Sequence, residues 1–219
     1  MKLMVIRHSD REQINNSETA HLAQLTDKGI KNAIVFGTLL GDKFNVKLDQ
    51  ILTSDVERCI DTGTLIRDAH ALEKFIERIK FSSPEAHENL AGLGYVKFTK
   101  RMEWLDYIGK KFKTGDLDYG TIFKELFENN ISMFREPKDY AKLFLAEYYY
   151  KFHNTLVVTH DTNIGPLMYA FSKKYSFYLD NSMLKPKPLC GFCFSKKNFN
   201  TVLEWISYEN EDIKLKRLV

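Results

Sequence analysis

Four apolar residues, Leu3, Met4, Val5 and Ile6, run without a break and end at Arg7 and His8. Such a run predicts a strand buried on both faces, as in the middle of a parallel sheet. Two side chains able to carry positive charge are tolerated there only at the strand's mouth. The segment LTDKGIKNAIVFGTLLGDKF then places Ile30, Ala33, Ile34 and Leu40 at helical spacing, with Thr26 set to cap the helix and Gly41 to stop it. DQILT predicts a second strand that runs straight into Ser54. In the following helix, SDVERCIDTGTLIRDAHALEKF, Ser54 and Glu57 have capping-box spacing, Val56, Cys59, Ile60 and Ile66 share a side, and Arg58 falls in the first turn.

IERIKFSS predicts a short third strand. From about Pro84 to Tyr150 the pattern turns helical, aromatic and basic, broken by GLG, KTGD and EPKD, and reads as an inserted cap. HNTLVVTH predicts another buried strand, and DTNIGPLMYAF a helix with polar residues at its front and Pro166 near its first turn. LCGFCFS and TVLEWISYE predict a closing hairpin across KKNFN. This order predicts an α/β fold: one domain over residues 1–219, three layers (α/β/α), a mostly parallel central sheet, a C-terminal β-hairpin and a small helical cap at about 84–150.

Composition narrows the class without naming an activity. The 219 residues are 44% hydrophobic and 28% charged, ordinary for a globular chain, and the net charge of +3 with interleaved signs does not suggest a nucleic-acid binder. No apolar run approaches the roughly 18 residues of a membrane span, so no membrane partner is expected. The apolar stretch before Arg7 is too short for a signal peptide. Three cysteines, Cys59, Cys190 and Cys193, argue against a disulfide framework and for a reducing compartment. The cytoplasm is the expected location, although a mature chain whose leader had been removed would look the same. Oligomeric state has no signature here.

Polar residues gather at three predicted strand ends: Arg7, His8 and Arg11 after the first, Arg58 beyond the second, and His160 with Asp161 after the strand near residue 155. In open α/β sheets ligands bind outside the carboxyl ends of strands, where helix N-termini add donors for an anion. Each residue alone has a plainer reading. The arginines suit surface ion pairs or cover for a helical turn, the histidines suit structural hydrogen bonds, and Asp161 suits an N-cap. The plain reading must explain all of them at equivalent places. Guanidinium groups suit a phosphate because their planar donors make paired, charge-assisted bonds to its oxygens. A neutral imidazole among them can attack phosphorus, and a carboxylic acid can protonate the departing alkoxide. The combination points to a phosphomonoesterase acting on a small-molecule ester without a metal.

These residues also carry a resemblance. IRHSDR, ILTSDVERCIDTG and VVTHDTNI resemble the histidine phosphatase superfamily. His160-Asp161-Thr162-Asn163, together with LTDKG and the closing ISYENEDIKL hairpin, is similar to its acid phosphatase and phytase branch. The resemblance implies a phosphoglycerate mutase-like fold, with His8 as the nucleophile that becomes phosphorylated. It implies that Arg7, Arg11, Arg58 and His160 hold the phosphoryl oxygens, that Asp161 donates a proton to the leaving group, and that no cofactor is used. Two positions depart from the pattern: Ser9 stands where glycine is usual, adding a hydroxyl beside the nucleophile, and Gln13 where proline is usual. Extracytoplasmic members carry a leader and disulfides, neither visible here, so the reaction is carried over and the substrate is not.

Three other readings stay open. Cys190 and Cys193 raise a zinc site, but strand residues three apart point to opposite faces and no second pair completes a tetrahedral set. A mutase-like phosphotransferase would use the same phosphohistidine but take its acid from a place near Glu88. A non-catalytic phosphoryl-binding scaffold would keep the arginines, yet needs neither nucleophile nor acid. In the cap, Lys97, Lys100, Arg101, Lys110, Lys111 and Lys113 mix with Phe98, Trp104, Tyr107 and Phe112. They form either a solvated helix face or contacts to the non-reacting part of a substrate.

Overall fold

The computed structural model describes residues 1–14, 19–44, 47–73, 85–86, 103, 106–107, 110, 135–149, 154–197 and 200–219. The predicted strand at 76–83, Glu88 and most of the cap lie outside the described residues.

Seven strands form one sheet among the described residues: β1 (Lys2–Arg7), β2 (Gln50–Thr53), β3 (Glu85–Ala86), β4 (Asn154–Thr159), β5 (Gly191–Lys197), β6 (Asn200–Glu209) and β7 (Asp212–Arg217). Their order is β3-β2-β4-β1-β5-β6-β7. β1 lies near the middle, parallel to β4 and antiparallel to β5. Its four apolar residues are buried because helices cover both faces. Leu3 and Val5 belong to one core with α3 (Pro137–Tyr148), α4 (Asp161–Tyr175) and the short α5 (Asn181–Leu184). Met4 and Ile6 belong to the other with α1 (Asp27–Phe44) and α2 (Glu57–Glu73). Three layers result, as the α/β/α reading expects.

The sheet is mixed in its pairings. β1, β2, β3 and β4 run parallel, whereas β5, β6 and β7 add on as an antiparallel meander. The reason is local: consecutive strands joined by tight turns can pair only antiparallel. The β6–β7 turn places Asn210 and Glu211 at φ of 53° and 57°, the geometry whose twist suits a two-residue hairpin.

Helix α1 differs from its sequence reading in face and length. Thr26 does cap it, its hydroxyl accepting the Gly29 amide at 3.0 Å. The buried positions, however, are Gly29, Ala33, Phe36, Gly37, Leu40, Gly41 and Phe44, while Ile30 and Ile34 are exposed. Close approach to α2 selects this face. A Cβ on Gly37 would stand 2.7 Å from the Ile66 carbonyl oxygen, so only glycine lets the two helices meet there. Gly41 does not stop the helix, because Phe44, one turn on, is a buried anchor and Lys2 Nζ satisfies its carbonyl at 2.7 Å. Helix α3 falls within the segment expected to form the cap, yet Ala141, Leu145 and Tyr148 sit in the same core as α4. Among the described residues no helix is long and apolar enough to cross a membrane.

Candidate active site

Register brings the strand ends together. Arg7 pairs with Thr159 across β1 and β4, and Thr53 pairs with Val158 across β2 and β4, so the residues that follow all three strands emerge at one edge. His8 is tied there through its amide to the Thr159 carbonyl at 2.9 Å, and Ser54 through its amide to the Val158 carbonyl at 3.0 Å. Five residues singled out by sequence meet at this edge: Arg7, His8, Arg58, His160 and Asp161.

The His8 ring is held by two contacts that fix its tautomer. Nδ1 lies 2.7 Å from the Ser9 carbonyl oxygen, which can only accept, so Nδ1 carries the proton. Nε2 then presents a lone pair, to which Arg58 Nε donates at 3.2 Å. The imidazole is buried, and its pKa falls well below the usual value, first through desolvation and then through His160, Arg7 and Arg58. It is neutral at pH 7.

His160 packs edge-on to His8, with ring centroids 5.3 Å apart. Arg58 Nη2 faces its Nδ1 at 3.5 Å and Ser54 Oγ faces its Nε2 at 3.0 Å. Since a guanidinium only donates, the arrangement satisfying both sides has Nε2–H donating to Ser54 Oγ. Ser54 in turn faces Asp55 Oδ1 at 3.5 Å. Burial first, then Arg58, pushes the His160 pKa down to about 3. Cys59 Sγ lies 3.6 Å from the same Nε2, and burial pushes its thiol up to about 12.

Arg7 is oriented by the Pro186 carbonyl, which accepts from Nη1 at 2.7 Å, and by Asp161, whose Oδ2 lies 3.3 Å from Nη2. Its Nε is buried without a hydrogen-bond partner, a donor suited to an anionic oxygen. Asp161 opens α4 next to the N-cap residue His160, so its carboxylate stands at a helix N-terminus beside Arg7. Arg11 is looser. It is half-buried and bonds the Glu12 carbonyl at 2.7 Å, but its charge is among those that lower His160 and Arg58.

No family model matches the chain, and no curated protein does. Solved structures do match. One called mycobacterial hydrolase 2 aligns at a TM-score of 0.51 and 14% identity, covering 100% of this chain and 89% of that one. The alpha-ribazole phosphatase from Shigella flexneri aligns at 0.45 and 16% identity, covering 100% and 96%. The protein histidine phosphatase SixA complexed with tungstate aligns at 0.45 and 12% identity, with the same coverage. The chain shares its fold with that mycobacterial hydrolase.

Within this fold the sequence reading missed three contributors. Ser54 is no capping-box residue: α2 begins at Glu57, and Ser54 Oγ accepts the Val56 amide at 3.3 Å while its other capacity goes to His160. Its place directly after β2 was the available signal. Thr62 bridges α2 to the loop after β1, accepting the Ser9 amide at 3.1 Å. Pro186 acts through a backbone carbonyl, which has no side-chain signature. Gln13, where the resemblance expects proline, is exposed. Cys190 and Cys193 fall in the two different cores, on opposite faces of the sheet.

Proposed function

We propose that this chain is a phosphomonoesterase that needs no metal and works through a phosphohistidine at His8, in the manner of the acid phosphatase branch of the histidine phosphatases. The observation that carries the reading is the His8 ring: it is neutral, held by Nδ1–H to a carbonyl, and its Nε2 lone pair faces the cationic cluster. A structural histidine in a core has no need of two arginines beside it.

The atoms balance in two steps. The Nε2 lone pair attacks phosphorus while the ester P–O bond breaks, and the proton on Asp161 goes to the departing oxygen. Arg58 leaves Nε2 for the phosphoryl oxygens as it does so, joined by Arg7, whose Nε has no hydrogen-bond partner, by Arg11, and by His160 once its proton has moved from Nε2 to Nδ1, the nitrogen vacated by Arg58. In the second step Asp161, now a carboxylate, takes a proton from water, whose oxygen attacks phosphorus; the P–N bond breaks, and inorganic phosphate and His8 are released. Charge on the transferring group is met by guanidinium groups and the N-terminus of α4, which is the logic of preorganised electrostatic stabilisation.

The substrate is a small phosphomonoester of a single-domain enzyme, and the segment expected as a cap at about 84–150, less β3 in the sheet and α3 in the core, is either a solvated face or the place where the substrate's non-reacting part is read. The test is turnover of a generic aryl phosphate with EDTA present. Release of inorganic phosphate at an undiminished rate is expected, and strict dependence on a divalent ion would remove the reading.

A further inference from the structure

Ser9 is fully buried and uses each of its polar groups on a different part of the site. Its carbonyl receives His8 Nδ1–H at 2.7 Å. Its amide donates at 3.1 Å to Thr62 Oγ1, which in turn donates to the Arg58 carbonyl at 2.7 Å. Its hydroxyl turns away from the pocket and donates at 2.7 Å to the Gly29 carbonyl, in the first turn of α1. The next residue continues the attachment: the Thr26 amide donates to the Asp10 carbonyl at 3.2 Å, and Asn32 Nδ2 donates to the Asp10 carboxylate at 3.2 Å. Helix and loop are so close that a Cβ on Gly29 would stand 2.0 Å from the Asp10 oxygen.

A peptide group held at one end can still rotate about the bonds on either side of it. The Ser9 amide is held by α2 and its side chain by α1, and with both ends fixed the carbonyl direction follows. We propose that the Ser9 hydroxyl is a positioning element for the nucleophile: by tying the loop to α1 it keeps the Ser9 carbonyl on Nδ1, and so keeps the His8 Nε2 lone pair directed at the phosphoryl site. Without the hydroxyl the α1 side would hold the loop only through the next residue, Asp10. The inference rests on the proposed role of His8, but its central claim concerns the ring's tautomer and can be read without turnover.

The experiment is long-range proton–nitrogen NMR of the 15N-labelled full chain, with the His8 ring assigned by its loss in His8→Gln. It is paired with the rate of phosphoenzyme formation from an aryl phosphate. Wild type should show the Nδ1–H tautomer. Ser9→Ala should show a mixture, with phosphoenzyme formation slowed about two- to tenfold, the scale of one net hydrogen bond, and KM unchanged. Nε2–H in wild type overturns the inference without any variant. Intact tautomer and rate in a folded variant that has lost only thermal stability overturns it too, because the hydroxyl is then merely structural. Absence of wild-type turnover refutes the proposed function alone, and the ring spectra still decide the role of Ser9.

Discussion

Arg58 Nε donates to His8 Nε2 across 3.2 Å, so the atom proposed to attack phosphorus is held, at rest, by a group proposed to receive the phosphoryl oxygens. Burial does most to keep the ring neutral, with His160 and Arg7 next, and the contact adds to them because a guanidinium cannot face a protonated Nε2. Arg58→Ala should therefore raise the His8 pKa while slowing turnover by about 10²–10³-fold, the scale of losing one preorganised donor. Titration of the ring by NMR, alongside kcat, checks both directions at once. A slower enzyme with an unchanged ring would mean that Arg58 acts on substrate alone.

His8→Ala should abolish turnover in a chain that keeps its fold by circular dichroism. Wild type quenched during reaction should carry phosphate on His8 in a bond labile to acid and durable in base. Label on Ser9, buried next to His8, or on Ser54, buried against His160, would move the nucleophile.

Asp161→Asn should slow esters with poor alkyl leaving groups far more than activated aryl esters, because only the former need a proton as the bond breaks. General acid assistance is typically worth about 10²–10⁴-fold. A plot of rate loss against leaving-group pKa makes the check. If Glu88→Gln shows that dependence instead, the mutase-like arrangement is the correct one.

The pH dependence follows from two histidines whose pKa values are pushed down in the fold, His8 well below its usual value and His160 to about 3. Above about pH 6.5 each is neutral whether folded or not, and stability is indifferent to them. Below it the unfolded chain binds protons that the folded chain refuses, so stability falls with pH. The slope is about 1.4 kcal/mol per pH unit for each histidine, and the His160 contribution continues until about pH 3. Urea midpoints between about pH 6.5 and 5 should show a shallower slope for His8→Gln than for wild type. Because kcat/KM reports the free enzyme, its acid limb should fall below pH 6.5 once the substrate's own ionisation is removed.

Gly191 sits where β5 meets β1, and a Cβ there would lie 1.9 Å from the Val5 carbonyl oxygen. Gly191→Ala should cost about 3 kcal/mol or more, since the obstacle is central backbone that cannot yield without parting the two strands. Chemical denaturation measures it. A change below about 1 kcal/mol would mean that the sheet adjusts there freely.

How much of this was legible in the sequence depends on the kind of signal. Leu3 to Ile6, the HNTLVVTH strand and the residues that follow them were readable, because a buried strand ending in charge is a local pattern. Helix α1 shows the limit. Ile30 and Ile34 satisfy the helical period as well as Phe36 and Gly37 do, and the choice of face was made by α2, which no local window contains. The β5–β6 hairpin was readable from its turn, whereas the antiparallel pairing of β5 with β1 likewise depends on which strands neighbour one another.

The same division runs through the site. By itself the sequence determined which reactive side chains exist and that they follow strands: Arg7, His8, Arg58, His160 and Asp161 all stood out from spacing alone. Only the tertiary structure decided what those side chains face. The His8 tautomer is set by the Ser9 carbonyl, the direction of Arg7 by the Pro186 carbonyl, and the His160 ring by Ser54. Two of these three partners act through the backbone, and Pro186 and Ser54 lie 179 and 106 residues from the groups they orient. A carbonyl is present at every residue, so its direction is information that only the folded chain holds.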